Sequence, residues 1–108
     1  MHLICKTEDV GEREARGFET PQGDIILTQR DGAFYAYKNL CPHLMMNLEY
    51  MEDEFLDREK EYIICSTHGA LFTVENGECI FGPCQGESLT AVNISVHSDG
   101  GIYLKDAE

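Results

Sequence analysis

The sequence predicts an all-β fold built from short antiparallel strands. Three observations carry this. Several segments of four to eight residues are rich in β-branched and aromatic side chains. Turn signals separate them: Asp31-Gly32, Glu75-Asn76-Gly77 and Asp99-Gly100-Gly101. One stretch alone shows apolar spacings that suit a helix.

In chain order, His2 to Lys6 is a first strand and Asp24 to Arg30 a second, with Ile25, Ile26 and Leu27 as branched apolar residues. Asp31-Gly32 is a hairpin turn into Ala33–Lys38, where Phe34, Tyr35 and Tyr37 favour extended backbone. Tyr62-Ile63-Ile64 runs into Cys65. Ala70 to Val74 follows, turns at residues 75–77 and returns as Glu78–Phe81. After Gly82-Pro83 the chain resumes as a strand over Leu89–His97, and a last strand covers Ile102–Lys105. The exception is Asn47 to Lys60, where Leu48, Met51, Phe55 and Leu56 permit a short helix among six acidic residues. That acidity is expected of a solvated excursion between two loops; the competing reading is a docking surface.

The 108 residues fit one domain, spanning 1–108, with 43% hydrophobic residues to form a modest core. A domain of this size gains from a bound metal centre. Twenty acidic against eight basic side chains give a net charge of −12. That excludes the basic stripe of a nucleic-acid binder and suits docking onto a basic protein surface. No run approaches the roughly 20 apolar residues of a membrane span, and the first residues lack the features of a secretory signal. A cytoplasmic protein is expected. Five cysteines, an odd number, favour metal binding over a disulfide framework in a reducing compartment.

The chemistry concentrates in Cys41-Pro42-His43 and Cys65-Ser66-Thr67-His68-Gly69, with 21 residues between His43 and Cys65. Each segment offers one thiolate and one imidazole on a tight loop. Such a set is able to hold zinc, but zinc pairs are usually spaced by two to four residues. The single spacer Pro42 suits ligands that serve two neighbouring metals. Ligand type alone does not choose between zinc and iron.

C-x-H followed by C-x₂-H-G resembles the Rieske pattern. The flanking order is similar to that family too: a hairpin ends at the first loop, an aromatic-rich strand follows the second, and Gly82-Pro83 stands in place of the family's proline loop. The resemblance covers about residues 2 to 105. It implies a Rieske-like antiparallel β-sandwich or barrel with a small inserted cluster-binding subdomain at about 40–84. It implies one [2Fe–2S] cluster, with Cys41 and Cys65 on one iron and His43 and His68 on the other. It also implies one-electron transfer by a carrier with no catalysis of its own.

The type of Rieske protein follows from what is missing. Respiratory members have two extra cysteines where this chain has Met46 and Thr67, and hydroxyl donors where it has Ala70 and Phe72. Fewer hydrogen bonds to sulfur, in a strongly negative chain, lower the potential, so a value near about −150 mV is expected. The pattern is similar to ferredoxins that feed aromatic-ring oxygenases. The implied partners are a flavin-dependent reductase and a terminal oxygenase or other redox protein, with the carrier a monomer. The alternatives are a small Rieske subunit of a multi-subunit oxidoreductase, of nitrite reductase or oxygenase type, and a structural zinc module. Met45 replaces a glycine usual in the family, and Leu44, Met45 and Met46 are expected to form an apolar collar. Cys5 and Cys79 are expected as buried small hydrophobes, Cys84 as a packing residue, and His2 and His97 at the surface.

Overall fold

The computed structural model describes residues 2–40, 55–65, 69–82 and 85–105. Nine strands are found among them: β1 (His2–Lys6), β2 (Ala15–Thr20), β3 (Gly23–Arg30), β4 (Ala33–Lys38), β5 (Tyr62–Cys65), β6 (Ala70–Thr73), β7 (Cys79–Phe81), β8 (Ile94–Val96) and β9 (Gly101–Leu104). They form three antiparallel sheets of three strands, in the orders β1-β9-β8, β2-β3-β4 and β5-β6-β7. A single 3-10 turn, Thr7–Asp9, is the helical element among the described residues.

The β2-β3-β4 sheet owes its form to local sequence. Asp31 and Gly32 both take positive φ (54° and 80°), the conformation of the tight hairpin turn whose twist matches the flanking strands. The Glu12 carboxylate accepts hydrogen bonds from both turn amides, at 2.6 and 3.0 Å. Those two donors hold its carboxyl below the usual range. The turn fixes the register, Arg30 against Ala33 and Ile25 against Lys38.

β3 is the central strand, and its neighbours explain its unbroken apolar run. Ile25 and Leu27 pack on Cys5, Val10, Ala36, Val92, Ile102 and Leu104, which include residues of the β1-β9-β8 sheet. Ile26, on the opposite face, packs with Tyr37, Phe55, Ile63, Phe72 and Val74. Successive residues of a strand point to opposite faces, so burial of both faces requires apolar side chains at every position. Each fully buried Ile or Phe contributes about 1.5–3 kcal/mol of transfer free energy.

Several expectations shift. β2 has no counterpart in the sequence reading. Its residues, Ala-Arg-Gly-Phe-Glu-Thr, are half exposed and low in β-formers, and their pairing with β3 places them. The single strand expected over 89–97 narrows to Ile94–Val96. The residues before it make separate bridges, Glu78 with Ser88 and Tyr37 with Ala91. The helix suggested within 47–60 does not extend into its described part, 55–60. Leu56 bridges Ile63, the Ile64 amide donates to the Phe55 carbonyl, and the Asp57 carboxylate accepts from the Glu61 and Tyr62 amides. Phe55 is fully buried, so part of that segment belongs to the core. Residues 47–54, the collar of Leu44, Met45 and Met46, and Cys84 lie outside the described residues.

Candidate metal centre

Of the four anticipated ligands, Cys65 is described, and Cys41, His43 and His68 lie outside the described residues. The structure shows what presents each loop. β5 ends at Cys65, where the Gly69 amide donates to the Cys65 carbonyl at 2.8 Å. Gly69 takes φ +68°, a left-handed conformation that glycine adopts without the cost of a Cβ. This bond ties the end of β5 to the residue before β6, and His68 immediately precedes Gly69 in the sequence.

Cys65 is fully buried, and Cys5, Cys65 and Cys79 are thiols rather than disulfide partners. Its register partner is Ala70, and directly opposed residues of an antiparallel pair share a sheet face. Ala70 is buried and its methyl group donates no hydrogen bond. Phe72, buried opposite Ile63, presents no hydroxyl either.

The Gly82 segment lies against the same turn. A Cβ on Gly82 would stand 2.9 Å from the Ala70 Cα and 3.0 Å from its Cβ, and Gly82 has φ +108°. Only glycine allows this approach. It brings the Gly82 backbone onto the residue opposite Cys65; Pro83 lies outside the described residues.

The first loop is delivered by β4. Asn39 is buried and its amide donates to the Asp24 carbonyl at 3.0 Å, which carries the paired backbone to the residue before Leu40. Two residues before Asn39, the Tyr37 hydroxyl donates to the Val74 carbonyl at 2.6 Å. Burial pushes the Tyr37 phenol up to about 12, so the hydroxyl keeps its proton and remains a donor. Gly77 backs onto the Tyr37 ring, where a Cβ would stand 2.7 Å from a ring carbon. Tyr37 therefore joins the strand before the first loop to the hairpin after the second. The sequence reading gave Tyr37 only a strand preference and missed this role.

A further tie comes from Arg30 at the end of β3, which is buried. Its guanidinium donates to the Lys60 and Glu61 carbonyls, just before β5. Glu61 in turn pairs with Arg13 at 2.6 Å. That outer pair is half exposed and adds little stability.

The chemistry of this setting fits a metal cluster. A buried thiol sits on a glycine-closed turn, against apolar neighbours and a glycine backbone. Such a thiol is an inert core residue unless a metal takes its sulfur. The two C/H loops supply two soft sulfurs and two imidazoles, the donor set of a mixed Cys/His iron–sulfur centre. No group of three or more His, Cys, Asp or Glu among the described residues forms another metal site.

Cys5 and Cys79 are buried, as anticipated for small hydrophobes. His2 is exposed, while His97 is half-buried and stacks on Tyr103 with ring centroids 4.2 Å apart. No helix among the described residues is long and apolar enough to cross a membrane.

Comparison with known proteins agrees with this geometry. The Rieske [2Fe–2S] domain family matches residues 1–98. The ferredoxin component of the alkene monooxygenase system of Xanthobacter autotrophicus is 30% identical over 77 residues, which is 71% of this chain and 60% of that protein. The chain thus spans less than two thirds of that relative. The 3-phenylpropionate/cinnamic acid dioxygenase ferredoxin subunit of Photorhabdus laumondii is 29% identical over 98% of this chain and 94% of its own length. Among solved structures, Sphingomonas yanoikuyae B1 ferredoxin superposes with a TM-score of 0.75 at 20% identity, covering 97% of each chain. The ferredoxin of carbazole 1,9a-dioxygenase from Nocardioides aromaticivorans IC177 superposes with a TM-score of 0.75 at 19% identity, covering 96% of this chain and 97% of that one. These structures share the fold.

Proposed function

As this chain belongs to the Rieske [2Fe–2S] domain family, we propose that it is a one-electron carrier that takes electrons from a flavin-dependent reductase and passes them to a terminal oxygenase. The observation that carries this is the Cys65 turn: a buried thiol on a turn closed by Gly69, with Ala70 opposite and Gly82 packed behind. One [2Fe–2S] cluster is held by Cys41, His43, Cys65 and His68, and supplies a reversible one-electron couple.

The protein's part is to hold and tune. Cys41 and Cys65 provide the thiolates of one iron, and His43 and His68 the imidazoles of the other. The unit of about 40–84 carries both loops within a single domain of 1–108. The Tyr37–Val74 bond and the Arg30 contacts hold that unit's strands to the β2-β3-β4 sheet. Ala70 and Phe72 withhold hydroxyl donors, which favours a low potential. Relatives named as the ferredoxin component of a monooxygenase system and the ferredoxin subunit of a dioxygenase support a carrier that serves an oxygenase. Cys5 and Cys79, buried as thiols, suit a cytoplasmic location.

The test is an electron paramagnetic resonance spectrum of the dithionite-reduced protein, with iron and zinc quantified on the same sample. A Rieske-type signal, with an average g below that of all-cysteine clusters, is expected with a full cluster's iron. A colourless, silent protein that holds zinc would refute the assignment.

A further inference from the structure

β7 is an edge strand of the β5-β6-β7 sheet, and it exposes its two large apolar residues. Phe81 is 61% exposed and Ile80 38%. A large aromatic ring left in water loses the free energy that burial would give it, so such exposure on a small protein points to a contact surface. The other large apolar residues exposed among those described, Leu3 and Val96, lie on β1 and β8 of a different sheet.

Position ties Phe81 to the candidate metal centre. Phe81 directly precedes Gly82, whose backbone is packed on Ala70, the register partner of Cys65. Register also places Phe81 opposite Leu71, one residue beyond Ala70. The ring is therefore anchored beside the end of the strand pair that carries Cys65, on backbone held by a close contact.

Charge identifies what it meets. From residue 61 to residue 104 there is no Lys or Arg, while Glu61, Glu75, Glu78, Glu87 and Asp99 fall in that stretch. Glu75, Glu78 and Glu87 are exposed, and Glu78 and Glu87 flank β7: Glu78 precedes it, and the Glu87 carbonyl accepts from the Cys79 amide. The sequence of residues 40–84 holds nine acidic residues and, as bases, only Arg58 and Lys60. An apolar centre with an acidic rim has a natural complement, an apolar recess rimmed with lysine and arginine.

We propose that Phe81 is the apolar anchor by which this chain docks on its electron acceptor, a redox protein with a basic docking face. The proposal rests on the electron-carrier reading. The rim steers the encounter and Phe81 supplies the short-range contact. The electron given up by this chain reduces the acceptor's metal by one unit, with no bond made or broken.

The probe is ferricytochrome c, a basic redox protein, with the cluster-loaded full chain at low ionic strength. Two quantities are read: the dissociation constant with the oxidised chain, and the reduction potential of the chain alone. Phe81→Ser is expected to weaken binding at least about fivefold. Phe81→Leu is expected to restore most of it, and neither variant to move the potential. Binding by Phe81→Ser as tight as by the parent chain overturns the proposal, as does a parent chain that does not bind. A potential that moves with Phe81→Ser also overturns it, because the ring then serves the centre rather than the contact. Absence of any reversible one-electron couple in the parent chain refutes the carrier reading separately, whatever the binding shows.

Discussion

The Tyr37 hydroxyl donates to the Val74 carbonyl at 2.6 Å, across 37 residues of sequence. The bond joins β4, which leads to the Cys41 loop, to the end of β6, which leaves the Cys65 turn. One side chain thereby ties the strand that precedes one candidate loop to the strand that follows the other. Tyr37→Phe keeps the ring against Gly77 but leaves the Val74 carbonyl without that donor. A loss of about 1–2 kcal/mol is expected in denaturant unfolding. The alkaline limb of stability should change as well. Tyr37 is raised from 10 to about 12 and Cys5 from 9 to about 11, both chiefly by burial. For groups raised on folding, the unfolded chain releases the proton first, so their contribution is intact below about pH 9 and is lost as pH rises towards 12. Tyr37→Phe should flatten the upper part of that decline. An unchanged decline between pH 10 and 12 would show that Tyr37 does not cause it.

Gly82→Ala tests the close approach to Ala70. The new Cβ would stand 2.9 Å from backbone, at a φ of +108° that L-residues rarely adopt. The expected cost is about 2–3 kcal/mol. Because Ala70 opposes Cys65, the iron–sulfur absorption and resonance spectra should change in parallel. Thermal unfolding and spectra on one sample check both. A stable variant with parental spectra would show that the Gly82 contact is dispensable.

Ala70→Ser adds a hydroxyl on the sheet face that carries Cys65. A donor to sulfur favours the more negative, reduced state. If the bond is worth about 1 kcal/mol more in that state, the midpoint rises by roughly 40 mV for one electron. A spectroscopic redox titration measures it. A midpoint that stays put or falls would show that the missing hydroxyl does not lower the potential.

At acid pH the informative residue is Glu12. Its carboxylate accepts from the Asp31 and Gly32 amides, which depress its pKa. A group depressed on folding contributes stability above its unfolded value of 4.5, and that contribution disappears as pH falls through the folded value. Glu12→Gln should be less stable at neutral pH and lose less on acidification. Equal acid sensitivity in both proteins would count against Glu12 as a source of it.

Much of this was legible in the residues. Ile25, Ile26 and Leu27 announced a strand, Asp31-Gly32 its hairpin, and Phe34, Tyr35 and Tyr37 the return, because β-propensity and turn chemistry are local properties. The C-x-H and C-x₂-H-G loops were legible because metal ligation demands particular atoms at particular spacings. The sequence by itself thus determined the fold class, the candidate ligands and the acidity of residues 40–84. The tertiary structure decided what depends on distant partners. It placed β2, whose residues have little strand preference and pair because β3 offers an edge. It buried Phe55 inside an acidic stretch that reads as a solvated one. It set Tyr37 on Val74, Gly82 on Ala70 and Phe81 in solvent. Propensity and spacing act over a few residues, whereas burial and close approach are properties of surfaces that meet only once the chain has folded.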